Sequence, residues 1–106
     1  MEVEAVRNRP SRHCVTLVVS GEVDHEHWEA FREAMLAGAW PSGTTAVVLD
    51  LSRVDFFDSG GIRALISARK ALEREGVTLH VDARSAPVQQ LLETTGLDAY
   101  LPPLPA

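Results

Sequence analysis

Asp58-Ser59-Gly60-Gly61 is the stretch of this 106-residue chain whose residue types and spacing offer chemistry. A hydroxyl follows directly on a carboxylate, and two glycines follow the hydroxyl. Glycine permits a tight turn and lets another backbone come close. The residues beyond, with Ile62, Leu65, Ile66 and Leu72 on one face, have helical spacing. Ser59 therefore stands at or beside a helix start, where free N–H groups and the positive end of the helix dipole favour an anion. A phosphate on Ser59 fits there without melting the helix and adds about −1.5 to −2 charge. The plainer role for the same residues is a cap, with Asp58 or Ser59 accepting hydrogen bonds from first-turn N–H groups.

Other reactive side chains offer less. His25-x-His27 has the types of a metal pair, but residues two apart on a helix do not share a face. They are expected as exposed first-turn residues, with no metal. Cys14 reads as a small strand residue rather than a reactive thiol, since only Arg12 supplies nearby positive charge. His80 is expected to point outward from its strand. Asp58-Ser59-Gly60-Gly61 echoes the surroundings of a trypsin-like nucleophile, and His13-Cys14 echoes that family's other signature. An activated serine needs a histidine base held by a buried aspartate. Nothing in the sequence brings His13 to Ser59, and the chain is too short for two barrels, so no enzyme is expected.

These residues need elements to position them. Residues 2–6 alternate polar and apolar and predict a short strand, followed by turn residues Asn8 to Ser11. Residues 13–20 are rich in β-branched types and predict a second strand in a hairpin with the first. Gly21-Glu22-Val23-Asp24 then breaks that strand, with Asp24 as N-cap of a first helix. Trp28, Phe31, Met35 and Leu36 form that helix's apolar face. Gly38 is its expected C-cap, and a loop through Pro41 and Gly43 follows. Residues 45–51 are nearly all apolar, as in a strand buried on both faces. Ser52 to Phe57 read as a connection to the second helix, which runs to about Glu75 and is stopped by Gly76. Residues 77–81 predict another strand. A third helix over 86–95 has Pro87 in its first turn and Val88, Leu91 and Leu92 on one face. Gly96-Leu97 suits a left-handed cap, and the tail is expected as a short edge strand fraying into Pro102, Pro103 and Pro105. The order β-β-α-β-α-β-α implies a mixed sheet of four or five strands with helices mainly on one face.

Bulk properties bound the function. The chain is 45% hydrophobic and 24% charged, which suits a globular domain and not a disordered one. A formal charge of −5 with scattered basic residues argues against a nucleic-acid surface. The polar opening MEVEAVRNRPSR shows no signal-peptide pattern, and no apolar run approaches the roughly 20 residues of a membrane span. One cysteine allows no intrachain disulfide, which fits a reducing, cytoplasmic setting.

Four pieces in order give the chain a family resemblance. Gly21-Glu22-Val23-Asp24-His25 resembles the G-E-[LIV]-D turn of STAS domains, especially of bacterial anti-sigma factor antagonists. Val47 to Leu51 resembles their central strand. Phe57 to Ile62 resembles their D-S-[ST]-G-L motif, and Ser85 to Leu92 with Thr95-Gly96-Leu97 resembles their closing helix. The match spans about residues 13–101 of a single expected domain over 1–106, with a Pro-rich tail at 102–106. The resemblance implies an α/β STAS fold and a binding switch without cofactor. Ser59 would be phosphorylated by a partner that is both anti-sigma factor and serine kinase. The unmodified chain would bind that partner and release a sigma factor, and a serine phosphatase would restore binding. Asp24 and Asp58 would shape the contact surface, with Ser59, Gly60, Gly61, Ile62 and Arg63 around them.

Two residues depart from that pattern. Gly60 replaces the second hydroxyl, leaving Ser59 as the local acceptor. Arg63 stands where a small residue is usual, placing a long cation on the expected interface. Arg63 lies four residues after Ser59, hence on its helical face, available to pair with a phosphoserine or simply solvated. Gly-Gly after the motif serine also resembles a different STAS branch, the adaptor subunit of a phospholipid-transporting ABC complex. The Gly-Glu-Val-Asp turn favours the antagonist. A stressosome-type or nucleotide-binding module is disfavoured by the lack of a sensor domain or a Walker-spaced loop.

Overall fold

Among the described residues, runs of β-branched and aliphatic residues form four strands, and amphipathic segments form three helices that cover one side of them. The computed structural model describes residues 1–7, 13–40 and 43–103. The turn expected at Asn8 to Ser11, Pro41 and the end of the tail at Pro105 lie outside the described residues. Strands β1 (Glu2–Arg7), β2 (Cys14–Val23), β3 (Ala46–Phe57) and β4 (Thr78–Arg84) lie in that order across one sheet. β1 pairs antiparallel with β2, while β2–β3 and β3–β4 are parallel. This is the mixed sheet that a hairpin followed by two crossovers requires.

Strand alternation decides where the core sits. Ala5, Leu17, Leu49 and Val81 are in register across all four strands. Val15, Val47 and Leu79 form the next row on the same face. Against this face pack Phe31 and Met35 of α1 (Trp28–Gly38), Leu65, Ala68 and Leu72 of α2 (Ser59–Arg74), and Val88 and Leu92 of α3 (Ala86–Thr95). Each large aliphatic or aromatic side chain buried here contributes about 1.5–3 kcal/mol. Gly38 faces the same core: a β-carbon there would lie in ordinary contact, 3.4–3.5 Å from Leu17 and Val15.

Several boundaries differ from the sequence expectation. Gly21 does not break β2. It takes φ +88°, and the ladder slips at 18/20 and again between Gly21 and Glu22, so the strand bulges and continues to Val23. Ser52 to Phe57 are not a connection but the second half of β3, paired with Ser20 to Val23. Helix α1 begins at Trp28, four residues after Asp24, and its C-cap is Ala39 rather than Gly38. On α2 the buried row is made of small residues, Gly60, Gly61, Ala64 and Ala68, together with Leu65 and Leu72. Ile62 is half-buried and Ile66 is 38% exposed. Leu97–Tyr100 form a 3-10 turn, and the described residues after it, 101–103, form no edge strand. Leu101 tucks into the core behind it. Gly76 and Gly96 adopt the left-handed conformation expected of helix ends.

Candidate functional site

The longer strands explain how the site is assembled. β2 and β3 end side by side, with Val23 opposite Phe57, so Asp24 and Asp58 emerge together at one end of the sheet. The Asp58 backbone N–H donates to the Val23 carbonyl at 3.3 Å. Asp58 is the N-cap of α2: its backbone is extended and its Oδ1 accepts from the Gly60 N–H at 2.8 Å. Ser59 is then the first helical residue, and its side chain is exposed. The division of labour left open between these two residues is thereby resolved, with the carboxylate capping and the hydroxyl facing solvent.

The two glycines do different jobs. A β-carbon on Gly60 would lie 2.4 Å from His25 Cα, 2.5 Å from His25 N and 2.6 Å from the Asp24 carbonyl carbon. The backbone of residues 24–25 therefore rests directly on the first turn of α2. A second hydroxyl-bearing residue at 60 has no room in this packing, which is a steric reason for the departure from the family pattern. A β-carbon on Gly61 would lie 2.4 Å from the Phe57 ring, so position 61 is kept small by the aromatic floor under the helix.

Asp24 does not cap α1 but the turn before it. Its Oδ1 accepts from the N–H groups of Glu26 (3.0 Å) and His27 (3.2 Å) and lies 2.7 Å from His27 Nδ1. Partial burial alone would push this carboxyl up. The His27 ring hydrogen bond and charge, with the two backbone N–H bonds, outweigh it and hold the carboxyl below its ordinary value. His25 is exposed, with Nδ1 3.9 Å from Asp58 Oδ2. The two histidines thus sit in the turn before α1, each facing a different aspartate. Among the described residues no group of His, Cys, Asp and Glu could hold a metal ion.

Arg63 is exposed, as a surface arginine would be, and it also has an aromatic neighbour that the sequence did not signal. Its guanidinium carbon stands 3.8 Å from the centroid of the Trp28 ring, stacked on the start of α1. Below Ser59, a shallow groove runs along α2, lined by Ser59, Ile62, Arg63, Ile66, Ser67 and Lys70. Ser67 in this groove is tied to α1 by Arg32, whose Nε donates to Ser67 Oγ at 2.7 Å.

The structure thus gathers Asp24, Asp58, Ser59 and Gly60 at one point, with Gly61 buried beneath and Ile62 and Arg63 one turn along α2. Other candidates lie apart. His13 is engaged with the Gly43 carbonyl at 2.9 Å, at the start of β2, so Ser59 has no His13 base. His80 points away from the core that its neighbours Leu79 and Val81 enter, and is half-buried there, with its ring nitrogens on Pro102 O and Thr78 Oγ1. Cys14 is half-buried at the start of β2. Sequence reasoning missed His25 as a neighbour of Asp58 and Trp28 as the seat of Arg63. Both pairings join segments more than thirty residues apart, and no local spacing signals them.

Comparison with known proteins decides the family. The family model described as "Mlab, STAS domain" matches residues 6–104. The chain belongs to the STAS family. A curated STAS relative, the anti-sigma F factor antagonist of Paenibacillus polymyxa, is 29% identical over 84 residues, which is 79% of this chain and 72% of that protein. A solved anti-sigma factor antagonist from Mycobacterium paratuberculosis is 28% identical, with a TM-score of 0.76 over 99% of this chain and 87% of the other. The unphosphorylated anti-sigma factor antagonist SpoIIAA superimposes with a TM-score of 0.75 over 98% of this chain and 89% of that one. At 19% identity, that likeness is one of STAS fold. These names describe regulators that act on another protein, not enzymes.

Proposed function

We propose that this STAS protein is an anti-sigma factor antagonist whose binding is switched off by phosphorylation of Ser59. The observation that carries the reading is the exposed Ser59 hydroxyl at the first position of a 16-residue helix, with Asp58 capping beside it. The partner is an anti-sigma factor with serine kinase activity. It brings its own ATP, so this chain needs no cofactor. The Ser59 oxygen attacks the γ-phosphorus, the bond from that phosphorus to the β-phosphate oxygen breaks, ADP leaves, and the hydroxyl proton passes to water. Asp58 keeps the helix start open and fixed, because its carboxylate is already bonded to the Gly60 N–H. Asp24 keeps the neighbouring turn in place. The new phosphate adds about −1.5 to −2 charge beside two carboxylates. A partner surface matched to the unmodified site then meets repulsion and a desolvation cost. A serine phosphatase reverses the switch.

The setting is cytoplasmic in this proposal; among the described residues no helix is long and apolar enough to cross a membrane. The test is binding to the anti-sigma factor encoded nearest this gene. Ser59→Ala should bind as the wild type does and compete with the sigma factor, while Ser59→Asp should bind weakly. Tight binding by Ser59→Asp would count against the switch.

A second reading, an adaptor subunit docking on the ATPase of a phospholipid-transporting ABC complex, is favoured by one observation. Gly60-Gly61 after Ser59 resembles that branch, and the close 24–25 backbone keeps residue 60 without a side chain. Co-purification with an ABC ATPase, and no binding to an anti-sigma factor, would support it.

A further inference from the structure

We infer that the partner surface seated on α2 is apolar at its centre and acidic at its edges, with carboxylates facing Arg63 and Lys70; this deepens, and rests on, the partner-switch reading of Ser59.

Three observations carry it. First, Ser59, Arg63, Ile66 and Lys70 recur at helical spacing along the exposed groove of α2, with Ile62 beside them. Ile66 is 38% exposed between the two cations, so the middle of the stripe offers an aliphatic side chain that a partner can cover. Second, the neighbouring arginines are already engaged. Arg69 pairs with Glu73 at 3.1 Å, and Arg32 with Glu33 at 2.9 Å and with Ser67. Among the described residues Arg63 and Lys70 have no such carboxylate. Third, Arg63 is held in place by Trp28 at 3.8 Å. Stacking uses the face of the guanidinium and leaves its N–H edge for a planar acceptor, for which a carboxylate is the matching shape.

The chemistry selects a protein over other anions. The chain as a whole carries −5, which disfavours a nucleic acid or an anionic membrane as its partner. A short acidic and aliphatic segment of a folded partner fits the stripe without meeting the rest. The same arrangement explains how one phosphate acts. Ser59 heads the groove, so a phosphate there opposes the partner's carboxylates and draws on the cations that would have met them.

The test exploits a feature of the sequence: Lys70 is its only lysine. A carbodiimide joins an amine to a carboxylate as an amide, with loss of water and no spacer. Apart from the terminal amine, Lys70 is the single amine this chain offers. In the complex with the adjacent anti-sigma factor, cross-linking and peptide mapping should join Lys70 to a partner Asp or Glu. Ser59→Asp should remove the product. Arg63→Glu and Lys70→Glu should each weaken binding about tenfold or more and flatten its salt dependence, while Arg63→Lys should retain most of it. Unchanged melting temperatures in the Lys70→Glu variant separate binding from folding. Full-strength binding by the double variant Arg63→Glu/Lys70→Glu, or a complex without a Lys70 cross-link, would overturn the inference and leave the switch standing. Failure of the wild type to bind any anti-sigma factor would remove the switch reading itself and this inference with it. Binding of the wild type to phosphatidylserine vesicles, lost in the double variant, would replace the acidic protein with a lipid surface and overturn the proposal.

Discussion

Substituting Gly60 by alanine adds one methyl group at the most tightly packed point of the site. Its carbon would stand 2.4 Å from His25 Cα and 2.5–2.6 Å from two further backbone atoms. Ordinary contact begins near 3.4 Å, so the 24–25 turn and the first turn of α2 must separate by about 1 Å, because backbone cannot rotate out of the way. Overpacking of this kind costs about 1–3 kcal/mol, and contact with backbone places it toward the upper end. Against this, alanine gains at most about 1 kcal/mol of helix propensity over glycine. The net expectation is a loss of about 1–2 kcal/mol, or a melting temperature lower by at least about 4 °C for a domain of this size. Thermal and urea denaturation followed by circular dichroism measure it, with Ser59→Ala as the neutral neighbour. If Gly60→Ala proves more stable than the wild type, as at an open helical position, the steric account of why residue 60 lacks a hydroxyl is wrong.

Further expectations follow from the same geometry. Asp58→Ala removes the carboxylate that caps α2 and should cost about 0.5–2 kcal/mol in urea denaturation, with Asp58→Asn costing less. Asp24 has a carboxyl held below its ordinary value when folded, so its contribution is present above the usual carboxylate range, about pH 4. That contribution is lost as the pH falls through the lowered value. Asp24→Asn should therefore flatten the acid limb of a stability–pH curve. Arg63→Ala removes the stack on Trp28 and should cost about 0.5–1 kcal/mol, with a change in Trp28 fluorescence measured in a Trp40→Phe background.

The local signals in the sequence were sound where the chemistry is local. Helix α3 spans the residues that Pro87 and Gly96 delimit, and Asp58 caps α2 as its short carboxylate suggests. The errors fall where pairing partners are distant. Gly21 looks like a break, yet β2 absorbs it as a bulge because β3 continues beside it. Ser52 to Phe57 show no clean alternation: Val54 and Phe57 are buried while Asp55 and Phe56 between them are exposed. Slips in the β2–β3 register account for that spacing, and no reading of one segment alone reveals them. The same extension carries Asp24 up to Gly60, so the misread strand ends and the hidden contact between residues 24–25 and 60 have one cause. The family motif marked the serine and aspartates of the site. It did not signal the stack of Arg63 on Trp28, which joins two helices.

The account stands most directly on whether Ser59 accepts a phosphate from its partner. Incubation of the chain with ATP and the anti-sigma kinase encoded nearest its gene, followed by intact mass and site mapping, measures this. The prediction is one added phosphate, mapped to Ser59, absent from Ser59→Ala, and no large change in circular dichroism. An unmodified chain, beside a kinase active on another substrate, would contradict it.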